Sequence, residues 1–181
     1  MQKISRIVLT ALLLMGSYAA ITGQELKRFS KDGATFEYTD GWEPVDQSQP
    51  DIQQISIANE AADSQIRILI LRKRSNSKDA MAELKRTVVD PWLRQLVGGY
   101  NYAGLKFEQT PANTEVAGTA AEGTAFKFQL DGQAGGSYVF WTLLDKRLVI
   151  LYFIRPEKKA EQATPGWDAI RKSLRVEKVK D

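Results

Sequence analysis

The chain has 181 residues, with 25 Lys and Arg against 22 Asp and Glu, and it contains neither histidine nor cysteine. Ser-His-Asp and Cys-His nucleophile arrangements are therefore excluded. So are zinc centres built on His or Cys and an imidazole pH switch.

The first element is a leader. Lys3 and Arg6 precede a run without charge from Ile7 to Ile21, and small residues follow (Ala19, Ala20, Thr22, Gly23). A basic start, a short apolar stretch and a small-residue zone predict a secretory signal peptide over residues 1–23, cut between Ala19 and Gln24. The rival reading is an uncleaved anchor. That needs about 20 apolar residues, and this run is shorter and broken by Gly16 and Ser17. Without cysteine there is no site for a lipid anchor, and no later run is fit to span a bilayer. The expected destination is periplasmic or secreted.

Losing Lys3 and Arg6 lowers the formal charge from +3 to +1. That balance gives no basis for nucleic-acid binding, which needs clustered cations to neutralise phosphates. Residues 24–181 read as one domain. A domain of roughly 150 residues buries about 68–70% of its unfolded surface, so a core alone can hold it.

Strands come next. "ATFEYT" (34–39) alternates with Phe36 and Tyr38 on one face, and an Asp-Gly turn leads to Trp42. "IQQISIAN" (52–59) and "QIRILILRK" (65–73) follow. A helix is expected from about 77 to 97, because Met81, Leu84, Val88, Trp92 and Leu96 form one apolar stripe. Asp90-Pro91 predicts a kink or restart inside it, and Gly98-Gly99 its end. Further strands are expected at 104–110, 113–118, 123–130, 136–144 and 147–155, with "DGQAGG" (131–136) and "DK" (145–146) as tight connections. Leu148, Ile150, Tyr152 and Ile154 face one way and Val149, Leu151 and Phe153 the other. A strand apolar on both faces is central and covered twice. Thr164-Pro165 predicts the start of a second helix, with Trp167, Ile170 and Leu174 on its buried stripe, and "LRVEKV" (174–179) a closing strand. The order predicts an α+β fold with one mainly antiparallel sheet.

Few residues suggest a site. Asp40, Glu43, Asp46 and Asp51 surround Trp42. Oxygen donors of this kind suit a hard cation, yet their spacing fits no known loop, and solvated turn carboxylates explain them better. No metal and no cofactor is expected. "RKR" (72–74) reads as a solvated strand exit. Tyr100 and Tyr102, in a glycine-flanked stretch, offer contact area of the kind found at interfaces, against the plainer reading that they cover the helix end. Trp42, Trp92, Trp141 and Trp167 are expected in the core.

Taken together, "FEYTDGW", a strand pair, one helix, a meander entered through "VAGTAAEGTAFKF" and a last helix ending near "IRKSLRV" resemble the PsbP-like superfamily, which takes in DcrB-type exported proteins and nuclear Ran-binding relatives. In relatives a proline follows the aromatic before the tryptophan; Thr39 stands there in this chain. The close Ser173-Leu174-Arg175-Val176 matches. The resemblance implies an α-β-α sandwich and a non-enzymatic accessory role beside a membrane-associated complex. The histidines tied to metal handling in photosystem relatives have no counterpart, and no site is carried over. The expectation is an exported protein, not an enzyme, that binds an unidentified protein partner or stabilises an envelope complex, with Tyr100, Tyr102, Asp40 and Glu43 as its candidate surface. The alternative is a carrier of a small ligand or divalent cation, using a cleft among those same residues. A hydrolase built on carboxylates or on Ser and Lys ranks last.

Overall fold

The computed structural model describes residues 25–130 and 132–177. The expected leader (1–23), Asp131 and the end of the expected closing strand (178–179) lie outside the described residues. In chain order the elements are β1 (Leu26–Lys31), β2 (Ala34–Thr39), β3 (Glu43–Asp46), β4 (Ile52–Asn59) and β5 (Ser64–Leu71). Then come α1 (Ala80–Leu84), a π-helical turn (Lys85–Val89) and α2 (Asp90–Tyr102). The second half holds β6 (Lys106–Val116), β7 (Thr119–Leu130), β8 (Gln133–Leu144), β9 (Arg147–Pro156), α3 (Ala160–Ser173) and β10 (Arg175–Val176).

The fold is α+β, but with two antiparallel sheets where one was expected. Seven strands run in the order β3-β4-β5-β9-β8-β7-β6, and β1-β2-β10 form a smaller sheet. The doubly apolar strand β9 lies at the centre of the large sheet, with three strands on either side. Its two faces feed two cores. Val149, Leu151 and Phe153 join Trp42, Phe36 and the α3 residues Ala163, Trp167 and Ile170. Leu148, Ile150 and Tyr152 join Val89, Tyr100 and Trp141, with Trp92 packed at the margin.

Several boundaries differ from the sequence expectation, each for a local reason. The first long helix does not stop at Gly98-Gly99. It ends at Gly104, whose φ of 70° opens a left-handed turn. Leu105 N–H donates to Tyr100 O and Gly104 N–H to Asn101 O, both at 3.0 Å, the Schellman closure that favours glycine at this position. Asp90 is not a cap either. Its backbone is helical and its N–H donates to Lys85 O, five residues back. Proline removes the next helical donor and crowds the preceding turn, and the chain responds by widening that turn instead of restarting.

α3 begins at Ala160, not at Thr164, so Pro165 lies inside it. The buried stripe extends one turn further back, to the fully buried Ala163, a residue too small to stand out in the sequence. The strands expected at 104–110 and 113–118 are one strand, β6. "DGQAGG" is not all connection. Gly135 and Gly136 already belong to β8, and a side chain at 135 would meet the Phe128 ring at 2.5 Å. The expected 145–146 hairpin forms, with Asp145 and Lys146 both left-handed at φ 49° and 61°, the twist a two-residue turn requires.

Candidate interaction surface

The four residues singled out for a surface do not come together. Tyr100 lies in the last turn of α2, not in a loop, and only 7% of it is exposed. Its ring meets Phe107 and Phe126 edge-on at 5.7 and 5.5 Å, and its hydroxyl lies 2.7 Å from Ser137 Oγ and 3.1 Å from Tyr152 Oη. This buried hydroxyl trio fixes the helix end to β8 and β9. Burial, reinforced by Tyr100, pushes the Tyr152 phenol above its ordinary range, so that hydroxyl keeps its proton. Tyr102, two residues on, points outward and is 96% exposed.

Asp40 and Glu43 flank Trp42. Asp40 is exposed and pairs with Lys27 at 2.7 Å, while Glu43 is exposed on β3. Trp42 belongs to the core beneath α3, and Tyr100 to the core on the opposite face of the sheet. The acidic turn and the tyrosines therefore cannot share a cleft. Among the described residues no three His, Cys, Asp or Glu side chains stand close enough to hold a metal ion.

The tryptophans are placed as packing residues. Trp42 is 2% exposed, and Trp141 and Trp167 are also buried. Trp167 stacks on Phe153 at 5.0 Å. Trp92 is half-buried and meets Tyr152 edge-on at 6.1 Å. Lys85 lies 5.9 Å above the Trp141 ring. "RKR" is not merely a solvated exit. Arg72 pairs with Asp32 at 3.0 Å and Arg74 pairs with Asp145, which ties β5 to the β1–β2 turn and to the 145–146 hairpin.

A different feature stands out once the strands are ordered. The large sheet ends in β3 on one side and β6 on the other. Each carries a proline, Pro44 opposite Ile57 and Pro111 opposite Thr124. Proline cannot donate to a ladder and is a standard guard of an exposed edge. The small sheet ends in β10, only two residues long, and in β1. β1 has six residues, "LKRFSK", and no proline. Its inward side is built in. Phe29 stacks on Phe36 at 4.9 Å, Lys27 pairs with Asp40, and Lys31 pairs with Asp46. The Lys31 ammonium, helped by the Ser48 hydroxyl, holds the Asp46 carboxyl down at about 2. Its outward face shows Leu26, 49% exposed, together with Arg28 and Ser30. A shallow groove of ≈ 480 Å³ adjoins it, lined by Arg28, Glu37, Lys172 and Arg175 among others.

β1 was not foreseen, although its signal was present. Two six-residue runs around Asp32-Gly33 are the spacing of a two-residue hairpin, with φ of 49° and 78° at the turn. The polar run "LKRFSK" hid it.

No protein-family model and no curated protein matches the chain. Solved structures do. Over 90% of this chain and 99% of the other, it superposes on the solution structure of cyanobacterial PsbP (CyanoP) from Synechocystis sp. PCC 6803, with a TM-score of 0.55 at 17% identity. The fold is PsbP-like. A protein from Bacteroides thetaiotaomicron VPI-5482 gives the same TM-score at 15% identity over 84% of this chain, which spans about half (48%) of that longer protein. The Saccharomyces cerevisiae Ran-binding protein Mog1p follows at a TM-score of 0.47 and 13% identity, with 84% of this chain and 96% of that one covered.

Within this PsbP-like fold the Ser173-Leu174-Arg175-Val176 motif has a mechanical explanation. Ser173 Oγ accepts from Glu37 N–H at 2.7 Å and donates to Ala169 O at 2.6 Å. One hydroxyl thus joins the end of α3 to β2. Leu174 and Val176 are buried, and the Arg175 guanidinium donates to the carbonyl of Leu174 at 2.8 Å.

Proposed function

We propose that the protein is an exported, non-enzymatic accessory protein that holds another envelope protein through the open edge of β1. Export rests on the leader pattern of residues 1–23. No described helix is long and apolar enough to cross a membrane. The observation that carries the docking reading is the unequal treatment of edges. Both edges of the large sheet bear a proline, whereas β1 offers an uninterrupted ladder. Extended segments commonly bind by adding to such an edge. Asp40, by pairing with Lys27, braces this same strand; Glu43 and Tyr102 lie outside it.

A photo-crosslinking side chain placed singly at Ser30, Val45 or Thr110 tests this in the exporting cell. Ser30 is expected to yield one dominant protein adduct and the β3 and β6 positions none. Adducts from β3 or β6 alone, or equal labelling at all three, would contradict docking at β1.

A further inference from the structure

We propose that the segment received by β1 is extended and acidic, and that it joins the small sheet as a fourth strand; this rests on the docking reading above. Six residues of β1 hold three cations, Lys27, Arg28 and Lys31, and no anion. Among the described residues the strand has a neighbour on one side only, β2.

The charges are divided between the two faces of the strand. Register puts Lys27 opposite Tyr38 and Phe29 opposite Phe36, the core-facing side, where Lys27 and Lys31 are ion-paired to Asp40 and Asp46. Arg28 is on the outward face opposite Glu37, and the ion pairs among the described residues do not include it. Lys172 and Arg175 border the adjoining groove, with Glu37 its one carboxylate. A strand laid along β1 sets its side chains about 4.5–5.5 Å from those directly opposite. A carboxylate across from Arg28 completes that cation's pairing. An apolar residue two positions along covers Leu26.

The same charges decide what is refused. A second copy of this chain would set cations against cations along β1, and like charges directly opposed destabilise a strand pair. Lysine on an edge is a known guard against self-association. Here it blocks a like strand and favours an acidic one, so a single device gives both solubility and selectivity. The charged side chains of this edge lie at the surface, so the preference must weaken with salt over a Debye length of about 8 Å at physiological ionic strength.

The test uses residues 24–181, isotope-labelled, and three probes: an end-blocked hexapeptide with one Glu and a Leu two positions along, its counterpart with Lys in place of Glu, and phosphatidylglycerol vesicles. The acidic peptide is expected to shift the amides of 26–31 selectively. Its affinity should fall roughly tenfold, or about 1.4 kcal/mol, on Arg28→Glu and fall again at high salt; the Lys peptide should leave the spectrum unchanged. Equal shifts by both peptides overturn the acidic preference, as does vesicle binding through 26–31 without a peptide response. Slow exchange at every β1 amide in the free protein overturns it too, because the chain's own terminal residues then occupy the edge. If the acidic peptide fails while Ser30 still crosslinks a protein, the charge rule alone is wrong; if both fail, docking at β1 is wrong as well.

Discussion

Trp42→Ala is expected to lower stability by about 3–5 kcal/mol, the usual range for deleting a buried large aromatic. The ring is 2% exposed and lies in the core between the large sheet and α3. Its place depends on a residue far away in sequence. A side chain at Gly166 would put its Cβ 1.9 Å from Trp42 Nε1 and 2.5 Å from Cε2. Gly166 lies inside α3, where glycine is about 1 kcal/mol worse than alanine. The indole accounts for that concession. Gly166→Ala alone should therefore destabilise by at least about 1–3 kcal/mol, the cost of overpacking. In a Trp42→Ala background the same change should be neutral or stabilise by up to about 1 kcal/mol, as alanine then has room and better helix propensity. Denaturant unfolding of the four proteins measures the coupling. Additive losses would show that the ring and the helix do not meet as described.

The second large effect is expected at Gly123 in β7. A Cβ there would lie 2.3 Å from Phe140 Cδ1 and 2.4 Å from Val139 O. The second contact is backbone, held by the β7–β8 ladder in which Gly123 faces Phe140. Gly123→Ala should cost about 3 kcal/mol, the upper part of the overpacking range. In contrast with Gly166, trimming the ring should not restore it, since the carbonyl stays in place: Gly123→Ala with Phe140→Leu should keep most of the loss. Gly136→Ala serves as the control. Its Cβ would meet only Phe126 O at 3.5 Å and Tyr138 at 4.0 Å, and little change in the unfolding midpoint is expected. A loss at 136 equal to that at 123 would contradict the register of β7 on β8.

These glycines show what could and could not be read from the sequence. A short run apolar on both faces is a strong signal, and it placed β9 at the centre of the sheet from Leu148 to Ile154. Helical spacing likewise marked the stripe through Trp92 and the one through Trp167. Both are local patterns of side chains that must face a core. What failed were the exact helix ends and the contacts between residues far apart in sequence. Nothing near Gly166 in sequence shows that Trp42 needs its space, and the Gly98-Gly99 pair looked like a stop although the left-handed turn that ends the helix is at Gly104. The surface was harder still. Tyr100 and Tyr102 differ by two residues, and the helix turns one into the core and leaves the other in solvent. The edge of β1 became visible only through strand order, since a polar strand is marked as an edge by what it lacks beside it.

Amide hydrogen exchange along residues 26–31 of the 24–181 chain, alone and in complex with the partner crosslinked through Ser30, separates a docking edge from an idle one. Among the described residues the outward-pointing β1 amides have no ladder partner, and exposed backbone groups exchange fast. The account predicts fast exchange at alternate β1 positions in the free protein and strong slowing in the complex, with β3 and β6 unchanged. Exchange along β1 that is the same in both states, or slowing confined to β3 or β6, would contradict it.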